Sequence, residues 1–158
     1  MENAVKALFI AAGVLIGMMI ISLGVSLFAS LSGYVEKAHE EIAIKKLQEF
    51  NEQFTKYINY NDETNEKEFI LTIQDVVTAA NCAYENNLNY RLEEYDGNNY
   101  YVTIKLDGQV LEKTINEKSA EILSEGLGFE YKCSSTNVKI NPNTKRVYEV
   151  NFSTYTTL

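Results

Sequence analysis

Residues 7 to 34 form a run of 28 residues without a single charge. An α-helix rises ~1.5 Å per residue, so such a run is long enough to cross the ~30 Å hydrocarbon core of a bilayer. It is longer than the apolar stretch of a secretory signal peptide, and no small-residue cleavage site with a polar flank follows it. The apolar pattern passes instead into an amphipathic segment. The chain is therefore expected to begin as a membrane or filament helix with a small domain behind it. At its polar tip Glu2 and Lys6 stand four apart, in the favourable order for a helical ion pair.

Small residues recur through this run. Gly13 and Gly17 are four apart, Ser22, Ser26 and Ser30 follow at intervals of four, and Ala29 and Gly33 close the series. Small residues spaced this way let a second helix backbone approach closely, and van der Waals contact then drives association. The expectation is helix–helix packing through Gly13, Gly17, Ser22, Ser26, Ser30 and Gly33. A plain lipid-facing anchor is the alternative.

Residues 35–60 continue without proline or glycine. Ala43, Leu47, Phe50, Phe54 and Tyr57 recur at alternating steps of four and three, with charged residues on the other faces, which predicts one apolar stripe on a helix. Joined to the first segment it makes a helix of roughly 55–58 residues, on the order of 85 Å. Its stripe needs cover from its own domain or from neighbouring copies. A coiled coil has barely two clean heptads to work with.

The division expected is 1–34 for the transmembrane or filament-core helix, 35–60 for its amphipathic continuation and 61–158 for a globular domain. That last part carries 16 acidic and 9 basic residues. An acidic balance of this size repels a phosphate backbone, so nucleic acid is not an expected partner. The polar stretch Asn61–Glu68 marks the boundary. Thr72 and Asp75 resemble a capping box, which predicts a helix from Ile73 to about Glu85, ended by Asn86-Asn87. Leu88, Tyr90 and Leu92 alternate with polar residues, then Asp96–Asn99 forms a turn and Val102, Ile104 and Leu106 alternate again, which predicts a hairpin. Asp107-Gly108 predicts a second turn and Val110-Leu111 a short strand. Thr114 and Glu117 suggest another capping box, opening a helix to about Ser124. Phe129–Cys133 reads as a strand. Val138 and Ile140, the turn 141–144, and Tyr148, Val150 and Phe152 read as a closing hairpin. The fold class is α+β: a long N-terminal helix, then a small antiparallel-sheet domain with two short helices.

Chemical motifs are sparse. His39 is the only histidine, so a Ser-His-Asp or Cys-His set within one chain is ruled out. Glu93 and Glu94 are strand neighbours facing opposite ways. Asp62, Glu63, Glu66 and Glu68 lack the spacing of a calcium loop and read as a solvated loop. No phosphate-binding glycine loop and no Cys-x-x-Cys is present. Asn151-Phe152-Ser153 fits a glycosylation sequon in a strand. The expectation is a non-enzyme with no metal and no cofactor. Cys82 and Cys133 are the only cysteines. Cys82 falls about 180° from Ile73 on a helical wheel, off the apolar stripe, where a bond to another element can use it. A Cys82–Cys133 disulfide in an oxidising compartment is expected, closing a loop that stabilises by about 4 kcal/mol in the chain-entropy model. Two unrelated small buried residues are the alternative.

The charge-free helix, its amphipathic continuation and the small sheet-bearing domain together resemble a type IV pilin or pilin-like protein. Met1 matches a first mature residue that the family permits. Val5 stands where the family carries Glu, a Gly-ended basic leader is not seen ahead of Met1, and the one proline, Pro142, lies outside the helix. The resemblance implies a filament whose apolar helices form a central bundle with the domains tiled outside. The helix would rest in the membrane before assembly. The partners implied are other copies of this chain through residues 7–60, the membrane, and proteins of an envelope or secretion machine. The alternative is a single-pass membrane-anchored domain that binds a protein partner in an envelope complex. Lys37, Lys45 and Lys46 alone would keep the C-terminal domain inside by the positive-inside rule. They are mixed with acids, and the disulfide requires the outside. The domain is therefore expected to be extracytoplasmic, on a membrane anchor or a cell-surface filament.

Overall fold

Residues 2 to 55 contain no proline and are rich in Ala, Leu, Ile, Glu and Lys, all but Ile strong helix formers. They form one helix, α1 (Glu2–Thr55), in the computed structural model, which describes residues 2–92, 99–111 and 115–155. The chain divides into two compact units, residues 1–45 and 46–158. The division expected at residue 61 lies fifteen residues later than this one. The last turns of α1 belong to the second unit because Phe54 is fully buried in its core and Phe50 packs against that core.

In the second unit, β1 (Tyr60–Asn61) and β2 (Glu66–Lys67) make a small antiparallel ribbon across the expected polar loop. Helix α2 (Ile73–Asn89) follows. The Asp75 carboxylate accepts the Thr72 N–H at 2.9 Å and the Thr72 hydroxyl at 2.8 Å, which fixes the helix start as the sequence suggested. β3 (Thr103–Leu106), β4 (Gln109–Val110), α3 (Ile115–Glu125), β5 (Glu130–Lys132), a 3₁₀ turn (Ser135–Asn137), β6 (Val138–Ile140) and β7 (Val147–Tyr155) complete the order. The fold is α+β, with the small sheet mainly antiparallel.

β7 is the spine of that sheet. β3 lies along one side of it, with β4 beyond, while β6 and β5 follow one another along the other side. The β3–β7 pair is parallel, with Ile104 beside Val150 and Leu106 beside Phe152. The β3–β4 turn is Asp107-Gly108, with φ of +48° and +83°. Two left-handed residues give a two-residue hairpin the twist its strands need, and Asp-Gly is a pair that tolerates them. The Asp107 carboxylate then accepts the Thr154 N–H at 2.9 Å and its hydroxyl at 2.6 Å. The core lies between this sheet, α2 and the end of α1, where Phe54, Leu71, Val76, Ile104, Ile115 and Phe152 are almost wholly buried. Gly126, just past α3, has no room for a side chain: a Cβ would sit 2.4 Å from Ile73 Cγ1.

The hairpin expected between Leu88–Leu92 and Val102–Leu106 is not formed by Leu88 and Tyr90. They lie in and just after the last turn of α2 and are largely exposed. Asn86 and Asn87 do not end the helix, because both side chains find partners on the following segment. Asn87 donates to Val102 O at 2.8 Å and accepts the Val102 N–H at 2.9 Å, and Asn86 donates to Tyr100 O at 3.1 Å. One amide side chain thus makes the pair of bonds that a strand neighbour would make. The expected turn at 96–99, the Glu93-Glu94 pair and Thr114 of the second capping box fall wholly or partly outside the described residues.

Asn59 is a fully buried polar residue that joins several elements. Its side chain donates to Phe69 O at 2.9 Å and to Tyr131 O at 3.1 Å, and accepts the Cys133 N–H at 2.8 Å. Its backbone N–H donates to Cys133 O at 2.9 Å, and its carbonyl accepts the Glu68 N–H at 2.8 Å. Asn59→Ala would strand two buried polar groups and one part-buried carbonyl. The expected loss is at least about 3 kcal/mol of unfolding free energy. Urea titration of the full chain in non-ionic detergent, followed by tyrosine near-UV circular dichroism, checks this.

Glu149 on β7 sits between Lys105 on β3 (2.8 Å) and Lys139 on β6 (2.7 Å). Burial alone would raise its carboxyl, but the hydrogen bonds from Lys105 and Lys139 outweigh burial and hold it below the usual carboxylate range. A carboxyl depressed in the folded state stabilises fully above the unfolded value of about 4.3, and that stability drains away as pH falls through the folded value. Glu149→Gln is therefore expected to cost about 1 kcal/mol at neutral pH and to flatten the loss of stability below about pH 4. Urea midpoints of both proteins between neutral and acid pH measure the difference.

Candidate assembly surfaces

The first unit is a helix bare on all sides. None of its most apolar 18-residue window is buried, and the mean hydropathy of that window is 2.6. Leu8, Phe9 and Phe28 are each at least 70% exposed. It is long and apolar enough to cross a membrane, as a membrane anchor or a signal sequence would be. The tip carries the expected Lys6–Glu2 pair at 2.7 Å, largely exposed to solvent. Such a pair adds little stability.

The small residues do not lie on one stripe. At about 100° per residue, Gly13, Gly17 and Gly24 fall within about 40° of one another. Ser22, Ser26, Ala29 and Gly33 cluster about 180° away, with Ser30 at the edge of that cluster. Around Gly13, Gly17, Gly24 and Gly33 nothing stands within 4 Å of where a Cβ would be. The helix therefore offers two opposed faces where another backbone can come close. Ser32 satisfies its own hydroxyl by donating to Phe28 O at 3.0 Å, which shows how a hydroxyl is carried on such a helix without a partner chain.

The amphipathic stripe is covered from one end only. Ala43 is exposed, Leu47 and Phe50 are half-buried, and Phe54 and Tyr57 are buried. Tyr57 lies beyond the helix, in the turn after Thr55, with its ring 5.9 Å from that of Phe152. Phe50 and Phe54 meet edge to face at 5.4 Å. Asn51, between them, locks the helix to the other end of the sheet: it donates to Lys145 O at 2.8 Å and accepts the Val147 N–H at 2.9 Å.

Cys82 and Cys133 are both free thiols, so the expected disulfide is corrected. Cys133 is wholly buried in the core, and Cys82 is half-buried against the same core. Its off-stripe position leaves Cys82 at the margin of the core, and each sulfur fills space as a small apolar group. Burial pushes the Cys133 thiol up to about 12. Burial likewise raises the Tyr57 and Tyr131 hydroxyls. These are packing shifts of a core.

Among the described residues no cluster of three or more His, Cys, Asp or Glu could hold a metal ion. Asp62 of the acidic stretch accepts a hydrogen bond from Thr136 at 2.9 Å. His39 lies on the exposed face of α1. Asn151 of the sequon stands in the middle of β7, half-buried. No family model matches the chain, and neither a curated protein nor a solved structure does.

Sequence reasoning missed the asparagines. Asn51, Asn59, Asn86 and Asn87 read as polar positions on or after helices, yet all four stitch elements together. The signal available was their position: Asn87 falls on the helical stripe of Ile73, Val76, Val77, Ala80 and Ala83. The state of the two cysteines has a direct check. In the native full chain, a neutral alkylating reagent is expected to modify Cys82 readily and Cys133 only after denaturation, as mass spectrometry would show. Two thiols blocked to alkylation in denaturant until a reductant is added would restore the disulfide.

Proposed function

We propose that this chain is a structural subunit of a pilus-like surface filament, assembled by packing of its N-terminal helices. The observation that carries the reading is the bare helix with two opposed small-residue faces. One face is enough for a dimer. Two opposed faces let each helix touch a neighbour on either side, and a contact of that kind propagates unless its rotation closes a ring. An anchor needs neither face and only ~20 apolar residues. This run has 28.

An apolar surface this large has two resting places, lipid or a bundle of like helices. The reading uses both in turn: the helix is held in the membrane first and transferred to the filament core later. The acidic second unit then lies outside the cell and keeps its neighbours soluble. It carries an adhesive or spacing surface and no enzymatic role. Proteins of an envelope or secretion machine would extract and stack the subunits.

Leucine substitutions on each face test this. Gly13→Leu with Gly17→Leu fills one face, and Ser22→Leu with Ser26→Leu fills the other. Each pair is expected to abolish filaments in electron micrographs of sheared cells while leaving the protein in the membrane fraction. Loss from one pair alone would show that assembly needs only one of the two faces. Full activity and membrane location in both would favour the single-pass anchor with a protein partner.

A further inference from the structure

Arg146 is a half-buried cation with no ion pair among the described residues of an acidic unit. It follows the turn between β6 and β7. Its guanidinium carbon lies 3.5 Å from the centre of the Phe50 ring and 5.5 Å from that of Tyr100. Nε is buried and has no hydrogen-bond partner among the described residues. The one hydrogen bond from its fork is long, Nη2 donating to Asn86 Oδ1 at 3.4 Å. No carboxylate among the described residues forms an ion pair with it.

Stacking on Phe50 satisfies the face of the guanidinium, and of its N–H edge only Nη2 has a partner among the described residues, the long bond to Asn86. That edge offers five donors in a rigid fork matched to a carboxylate. Beside it opens a cavity of about 350 Å³ lined by Tyr90, Leu92, Tyr100 and Arg146. The volume is at the small end of ligand sites. Its walls are the flat rings of two tyrosines, 71% and 52% exposed, and one leucine. A half-buried cation with no ion-paired carboxylate among the described residues, flanked by exposed rings, suits an anionic ligand.

We propose that this pocket binds a small carboxylate-bearing molecule. The Arg146 fork takes the carboxylate, and the Tyr90 and Tyr100 rings flank the body of the ligand. A charge-assisted two-pronged bond in a partly dry site supplies most of the affinity. The ring walls select a flat or apolar body. Two sources carry this chemistry, an acidic sugar and the carboxyl end of a peptide. The site does not depend on the filament reading.

The test is side-chain nitrogen NMR of the full chain in non-ionic micelles, following the Arg146 Nε–H. Glucuronate and N-acetyl-leucine are the two carboxylates, and glucose and N-acetyl-leucine amide are their neutral counterparts. One carboxylate is expected to shift the signal saturably, with its neutral counterpart at least roughly tenfold weaker. Which one does so identifies the source. Tyr90→Ala removes a largely exposed ring. It should weaken binding severalfold with the thermal midpoint unchanged. No shift with either carboxylate at about 50 mM, far above a useful Kd, overturns the proposal, as does equal binding of a neutral counterpart. Unchanged affinity in Tyr90→Ala also overturns it. So does binding seen only in a Glu93→Gln/Glu94→Gln variant, since the chain's own acid would then occupy the site.

Discussion

Asn59 is where the second unit is tied together. An amide side chain has the donors and the acceptor of a peptide group on a short arm, so it can bridge backbone that secondary structure leaves unpaired. Here it sits just beyond α1 and reaches Phe69, Tyr131 and Cys133 at once. Those three contacts hold the exit of the helix against β5 and the approach to α2. A buried amide with every group satisfied is specific, since a register slip would strand several groups together. Asn51 does the same for the last turns of the helix at the β6–β7 turn. Asn87 does it for α2 at the start of β3. The unit is small and its sheet strands are short. Its asparagines supply directional bonds that a larger core would not need.

The first unit obeys a different solvent. Its backbone groups are satisfied within the helix, so it is stable in a medium without water. Its side chains offer no internal way to hide. The charged residues stop at Lys6 and resume at Glu36. Within that window the chain places Gly13, Gly17 and Gly24 on one face and Ser22, Ser26, Ala29 and Gly33 on the other. Leu, Ile, Phe and Met fill the rest of its surface, suited to lipid or to grooves between helices. A sequence built only to hold a domain at a membrane has no need to interrupt its flanks with small residues on two opposed sides.

Much of this was legible in the residues. The uninterrupted apolar run gave α1, Thr72 with Asp75 gave the start of α2, and Asp107-Gly108 and the 141–144 turn gave two hairpins. Each is a local signal, decided by neighbours a few residues away. What was misread depended on distant partners. Leu88 and Tyr90 alternate like a strand, yet the helix carries on through Asn86 and Asn87 because Tyr100 and Val102 receive their side chains. The parallel pairing of β3 with β7 joins residues over forty positions apart and leaves no mark in either strand alone. The cysteines were read from their count and compartment, whereas packing in one core decided their state. The small-residue series was read by its spacing of four. The helix turns about 40° further than a full circle at every such step, and the gap between Gly17 and Ser22 carries the series to the opposite side. The Arg146 pocket was not visible at all, since its lining comes from three separated segments.

The claim that everything else serves is that these helices touch neighbours through two opposed faces. Cysteine crosslinking tests it most directly, in a Cys82→Ser background where the remaining thiol is buried. Gly17→Cys and Ser26→Cys each place one thiol on one face. With both present, oxidation of native membranes or filaments should give a ladder of covalent multimers, while each single variant goes no further than a dimer. A double variant that also stops at a dimer, or stays monomeric, would contradict the account.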